Sequence, residues 1–329
     1  MKLIHELRWN RVLGSWVIVS NIRKIRPWRP SDHCPFCPGA PEIDGKTGWK
    51  VLVIKNRFPA LVPNPHTSDV KGLKEEGYGY TEVVIETPVH EGDLCDIPLN
   101  HLKEVIDVFA QRTVELSKDK RIKYVAVFRN KGAAIGVSIT HPHSQIYALS
   151  FIPPRISIEL RNAEKFWRSE EKCLFCDIIE EEKNSSRIIY LNDSFIVFMP
   201  FGVQWPFETH IYPLRHVQKL PDLSDKERLD LADALRVITK AYNLLFEIDF
   251  PYIMAVHQAP SRGSYPFYHL HIEFYTLLRD KNKLKYAAGI EWGFFSFTYD
   301  GLPEENAKLL RTAASKALKV LDEHLGEVP

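Results

Sequence analysis

Two histidines flank a proline in THPHSQIYALS, residues 140–150, and an amide side chain follows two residues later. In an extended chain residues i and i+2 share a face, so His141, His143 and Gln145 project to one side. Proline keeps the residue before it extended and donates no ladder hydrogen bond, which suits the start or edge of a strand. Near neutral pH an imidazole either ligates a metal or attacks an electrophile. The rest of the chain divides these tasks between the two rings.

Four of the five cysteines form two Cys-x-x-Cys pairs, Cys34 with Cys37 and Cys173 with Cys176. In a reducing compartment such pairs bind metal or do redox chemistry more often than they form structural disulfides. Two thiolates with two imidazoles make a donor set that tetrahedral zinc accepts. We assign Cys34, Cys37, His90 and His141 to a first zinc and Cys173, Cys176, His216 and His269 to a second. The rival reading is a redox pair, but the Trp and Gly-Pro context of such sites is absent. Cys95 is expected only to pack.

With His141 taken as a ligand, His143 is left as the functional candidate. A neutral imidazole is a competent nucleophile and a good leaving group from phosphorus, so it can split a transfer between two phosphate-bearing substrates into two displacements. Gln145 can donate to a phosphoryl oxygen without adding charge. Arg23, Arg26 and Lys131 offer cations for phosphates, against the bland reading of each as an ordinary solvated charge.

The elements that must hold these groups repeat. The first half reads WVIVSN, WKVLVIKN and YTEVVIET as strands. PLNHLKEVIDVFAQRTVELSKD follows as an amphipathic helix on the spacing of Leu102, Val105, Ile106, Val108 and Phe109, and KYVAVFRN and SQIYALS are strands again. The second half reads RIIYLN, FIVFMP and HIYP as strands, a long helix capped at Ser224 with Glu227 three residues on, then YIMAVHQ and HLHIEFYTLL. His90 lies 51 residues before His141, and His216 lies 53 before His269. The order Cys-x-x-Cys, strands, His, helix, strand, His-x-His thus occurs twice. This points to an internal duplication: an α+β fold of two tandem units, each an antiparallel sheet with packed helices, spanning 1–165 and 166–329 with a boundary near AEKFWRSEEK.

Composition excludes other classes. The 329 residues carry 43 Lys+Arg against 42 Asp+Glu, a net charge of +1, so no global field favours nucleic acid or an anionic membrane. A zinc-stabilised nucleic-acid-binding module is the non-enzymatic alternative, and it lacks a long basic patch. Charges interrupt the N-terminal stretch, and no apolar run approaches the ~18 residues of a membrane span. We expect a soluble, cytoplasmic protein with small-molecule partners.

At HPHSQIYA the sequence resembles the histidine triad superfamily, and within it the galactose-1-phosphate uridylyltransferase family. IRKIRPW, CPFC, NRFPAL, NKGAAIGVSITHPHSQIYA, WPFETHIYPLRH, PYIMAVHQAP and KYAAGIE carry that resemblance along nearly the whole chain. It implies a ping-pong exchange: UDP-glucose gives its uridylyl group to the histidine, glucose 1-phosphate leaves, and galactose 1-phosphate takes the group. The nucleophile falls on His143, its supporting amide on Gln145, and the zinc ligands on Cys34, Cys37, His90 and His141. Phosphate or nucleotide contacts fall on Arg23, Arg26, Asn56, Asn130, Gly136 and Ser138, and sugar contacts on Lys285, Gly289 and Glu291. A homodimer with shared active sites is the further implication. A second metal, iron or zinc, falls on Glu159, His257 and His271, with Glu273 where the family has histidine; this leaves the site either altered in metal preference or empty. Ile290, where an aromatic is usual, touches the sugar pocket. The enzymatic alternative is a nucleotide-sugar phosphorylase or dinucleoside polyphosphate hydrolase of the same superfamily.

Overall fold

The structure, a computed structural model, describes residues 2–25 and 33–325. Arg26 lies outside the described residues. In chain order the elements are β1 (His5–Asn10), β2 (Ser15–Ser20), β3 (Leu52–Lys55), β4 (Lys74–Glu76), β5 (Gly79–Ile85), α1 (Leu99–Ser117), β6 (Tyr124–Lys131) and β7 (His143–Leu149). Then come α2 (Pro154–Glu170), α3 (Leu174–Lys183), β8 (Ile188–Leu191), β9 (Phe195–Phe198), β10 (Thr209–Pro213), α4 (Asp225–Phe246), β11 (Tyr252–His257), β12 (His271–Thr276), β13 (Leu278–Asp280), β14 (Lys283–Leu284), α5 (Gly289–Phe294) and α6 (Pro303–Leu325). No helix among the described residues is long and apolar enough to cross a membrane.

The fold is α+β, and the sheets expected of the two units are joined into one, beside a three-stranded sheet β2-β1-β4 and the β13-β14 hairpin. One nine-stranded antiparallel sheet runs β3-β5-β7-β6-β11-β12-β10-β9-β8. Each half presents the same order outward from the middle, so β6 and β11 meet as pseudo-equivalent strands. Lys131 pairs with Tyr252, and the register continues to Val127 with Val256. Beneath this seam lies a buried polar network. Tyr252 Oη donates to Asp93 Oδ1 at 2.6 Å, and Arg129 donates to Tyr252 Oη at 2.8 Å and to Glu86 Oε2 at 3.0 Å. Ser144 Oγ donates to Glu86 Oε1 at 2.6 Å, and Lys131 Nζ lies 3.0 Å from Asp93 Oδ2. Buried charges persist where each has a partner, and here the partners come from both halves of the chain.

One face of the sheet packs on α1, α4 and α6. Leu102, Val105, Ile106 and Phe109 of α1 and Leu231, Leu235 and Ile238 of α4 meet Val84, Val127, Ile146 and Ile272 of the strands in one core. α4 starts as the capping pattern requires: Glu227 N donates to Ser224 Oγ at 3.2 Å and Ser224 N to Glu227 Oε2 at 2.7 Å. On the other face α2 and α3 bring Ile156, Leu160 and Phe175 to Ile196, Phe198 and Tyr212, in a cluster that also takes in Tyr124 and Leu149 of the first half. The stretch 163–172 is the end of α2 and its exit, and its charges are those of a solvated helix face. Over the first half Phe36, Ala40 and Ile43 pack on Val83 and Ile85 of β5 on this side of the sheet.

Candidate active site and metal centres

Strand alternation does what the i, i+2 spacing requires. His143, Gln145 and Tyr147 of β7 are half-buried, while Ser144 and Ile146 between them are buried against the helices. The exposed side of β7 and β6 lines a cavity of ≈ 400 Å³ with Arg23, Phe128, Asn130, Gly136, Ser138, His143, Gln145 and Tyr147 on its walls. Gly136 sits at φ +79° with open space where a Cβ would stand, a left-handed position that favours glycine. Arg23 donates to Tyr147 Oη at 3.2 Å. Sequence reasoning did not single out Tyr147 or Phe128; the alternation that selected Gln145 also selects Tyr147, and Phe128 is paired with Gln145 across the ladder.

His143 Nδ1 donates to the carbonyl of His141 at 2.8 Å. That bond puts the proton on Nδ1 and the lone pair on Nε2. A carbonyl acceptor also stabilises the cation that forms when Nε2 becomes bonded to phosphorus.

The first cysteine pair closes on the expected histidines. Cys37 Sγ lies 3.3 Å from His90 Nδ1 and 3.7 Å from His141 Nδ1, and Cys34 Sγ lies 3.6 Å from His141 Nδ1. A tetrahedron with Zn–S near 2.3 Å and Zn–N near 2.05 Å has S···N edges of about 3.5 Å, so the donor spacing fits zinc. His141 Nε2 donates to Thr87 O at 2.8 Å, which turns the lone pair of Nδ1 toward the thiols. Burial pushes the Cys34 thiol up to about 11, so a thiolate there needs a cation beside it.

The second centre has the same form. Cys176 Sγ lies 3.4 Å from His216 Nδ1 and 3.5 Å from His269 Nδ1. Hydrogen bonds from Cys176 and then from His216 and His269 hold Cys173 well below the usual thiol range. His269 Nε2 is buried without a hydrogen-bond partner, unlike its counterpart on Thr87. Both Cys2His2 groups, and a third group of Glu159, His257, His271 and Glu273, have ligand atoms within 4.8 Å of one another.

In that third group Glu159 Oε1 lies 3.0 Å from His257 Nδ1, and Glu273 Oε1 lies 3.4 Å from His271 Nε2. Burial would raise Glu159, but the neighbouring His257 and His271 overcome it and hold the carboxyl at about 2. Burial works against the charged form of His257 too, and Glu273 and Glu159 raise it nonetheless.

The remaining expected residues scatter. Asn56 follows β3, its Oδ1 accepting from Phe58 N at 2.9 Å, and it does not line the cavity. Lys131 pairs with Asp93, Asp249 and the carbonyl of Phe250; it does not line the His143–Gln145 cavity but borders a second cavity of ≈ 460 Å³ that His143 also lines. Lys285 is buried with Nζ 3.3 Å from Gln204 O. Glu291 accepts from Ala288 N and Thr298 Oγ1, each at 3.0 Å. Neither these two nor Gly289 lines the His143 cavity of their own chain.

Two sequence models match: the galactose-1-phosphate uridyl transferase N-terminal domain over residues 2–153 and its C-terminal domain over 159–326. The galactose-1-phosphate uridylyltransferase of Thermotoga maritima is 37% identical over 313 residues, covering 93% of this chain and 98% of the relative. A solved uridylyltransferase superposes with TM-score 0.88 at 41% identity, covering 95% of this chain and 99% of the other. An ADP-glucose phosphorylase from Arabidopsis thaliana, solved with ADP-glucose bound, gives TM-score 0.74 at 28% identity over 93% of this chain and 98% of its own. With both halves matched and the nucleophile geometry in place, the chain belongs to the galactose-1-phosphate uridylyltransferase family.

Proposed function

We propose that the protein transfers UMP from UDP-glucose to galactose 1-phosphate through a covalent uridylyl-histidine. The observation that carries this reading is the orientation of His143, whose Nδ1 donates to the His141 carbonyl while the ring borders a cavity sized for a nucleotide. Nε2 attacks the α-phosphorus, the bond to the glucose 1-phosphate oxygen breaks, and that phosphate leaves with its electron pair. In the second step an oxygen of galactose 1-phosphate attacks the same phosphorus and the P–N bond breaks. Gln145 donates to a phosphoryl oxygen, and Arg23, steadied by Tyr147, meets the distal phosphate. Zinc at the two Cys2His2 groups would hold the loops in place; it supplies no step of the transfer.

Intact mass after brief incubation with UDP-glucose, quenched at alkaline pH because phosphoramidates are acid-labile, tests this directly. The chain is expected to gain one UMP and to lose it on addition of galactose 1-phosphate. A chain 31% identical to this one over 339 residues is an ADP-glucose phosphorylase, so ADP-glucose with inorganic phosphate is the control. An AMP adduct formed in place of UMP would move the assignment to that activity.

We further infer a homodimer with shared active sites. Residues 285–291 do not reach their own cavity, and the same segment runs into exposed Tyr286, Trp292, Phe294 and Phe295. Clustered exposed aromatics mark association surfaces, and a second copy seated there brings Lys285, Gly289 and Glu291 to a neighbouring site. Sedimentation should show a dimer that the double substitution Trp292→Asp, Phe294→Asp converts to a monomer. A wild-type chain that sediments as a monomer would remove the shared-site reading.

A further inference from the structure

The second unit carries a copy of the nucleophile site. His271 stands where His143 stands, two residues after a ligand histidine, with Nδ1 bonded to the carbonyl of His269 at 3.0 Å. Phe175 of the second cysteine pair packs on His271 at 5.0 Å between ring centres, as Phe36 packs on His143 at 5.1 Å. Glu273 occupies the place of Gln145, and Tyr275 that of Tyr147. The copies differ in what covers them: the first opens into a cavity, whereas α2 lies across the second and buries His271 to 1% exposure.

α2 brings a cation with it. Arg155 places Nη2 2.9 Å from Glu273 Oε2 and Nε 3.4 Å from Glu159 Oε1. Its guanidinium lies over the Tyr275 ring, 5.0 Å from the centre. The other carboxylate positions are also engaged. Tyr268 Oη donates to Glu159 Oε2 at 2.7 Å, Tyr275 Oη donates to Glu273 Oε2, and His210 Nε2 lies 3.0 Å from Glu208 Oε1 and 3.6 Å from Glu273 Oε1. A guanidinium is charged at every working pH. A divalent ion entering between Glu159 and Glu273 would have to displace these donors and sit beside that charge.

We propose that Arg155 is the resident cation of this third cluster, and that the second copy of the nucleophile site is a closed ion-paired core that binds neither metal nor nucleotide. The donor set alone fits a metal; the arginine delivered by α2 is what replaces it. Its role is to pin α2, which follows directly from the strand bearing His143, across the second unit.

Metal analysis of the full-length chain tests the proposal. After saturation with Zn²⁺, and separately with Fe²⁺ under anaerobic conditions, followed by removal of loosely bound ion, two equivalents per chain are expected. His257→Ala should still hold two. Three equivalents in the wild type, falling to two in His257→Ala, would overturn it. Arg155→Met should melt about 3–6 °C lower, since one partner of a half-buried ion cluster is lost, and should take up a third zinc in place of the missing charge. An Arg155→Met chain that melts with the wild type and binds only two zinc ions would show that Arg155 is not the cation. The wild-type count decides the metal question even if the variant fails to fold.

Discussion

His143→Gly is expected to lose transfer by on the order of 10⁴-fold or more, because it removes the imidazole on which the covalent intermediate is proposed to form. The substitution removes a nucleophile and no metal donor: His141 keeps its Nδ1 toward Cys34 and Cys37 and its Nε2 on Thr87. Zinc content and the melting transition should therefore stay close to those of the wild type, and the UMP adduct should be absent from the mass spectrum. The two histidines are distinguishable by this experiment. If zinc were lost and the adduct retained, the roles of His141 and His143 would have to be exchanged.

Cys34→Ser is expected to act on stability first and activity second. The first Cys2His2 group gathers three separate segments: the loop carrying Cys34 and Cys37, the turn after β5 carrying His90, and the approach to β7 carrying His141. None has a large core of its own; the satellite cluster beneath them comprises Phe36, Ala40, Ile43, Val83 and Ile85. Zinc ligation therefore contributes to folding directly, and a drop in melting temperature of ~10 °C or more is expected with loss of one zinc equivalent. Activity should fall as well, because His143 follows His141 by two residues and Pro142 O accepts from Glu86 N at 3.1 Å. Unchanged zinc content and an unchanged melting temperature would sink the assignment.

The grouping of the candidate metal donors and the placing of His143 at the cavity wall were legible because both rest on local spacing. Two residues per strand repeat and two intervening residues between cysteines leave few geometries, and the duplication supplied a second copy of each pattern. Elements with strong periodicity, such as α1 and α4, were legible for the same reason. α2 was not: its buried residues Ile156, Leu160 and Ala163 form a narrow stripe in a segment whose charges read as a boundary. Because α2 went unread, so did Arg155, whose partners Glu159 and Glu273 include one 118 residues away. The surroundings of Lys131 are set by strand phase. It lies one residue beyond Asn130, so alternation sends it to the helix face, where Asp93 takes its charge. Asn56 and the 285–291 segment depend on loop paths and on a second chain, which no period in the sequence encodes.

The strand seam between the halves has a consequence for how such a chain can be taken apart. The pairing from Lys131–Tyr252 to Val127–Val256 is continuous sheet, and cutting it would leave two open edges of unpaired main-chain groups, the usual template for aggregation. Tyr252 from one half also carries hydrogen bonds to Asp93 and Arg129 of the other, so either fragment would strand buried charges. The repeated unit of sequence is half the chain, whereas the unit expected to melt cooperatively is the whole. Truncation to a first-half fragment is therefore expected to give an aggregating chain, although every residue proposed for the covalent chemistry lies before residue 150.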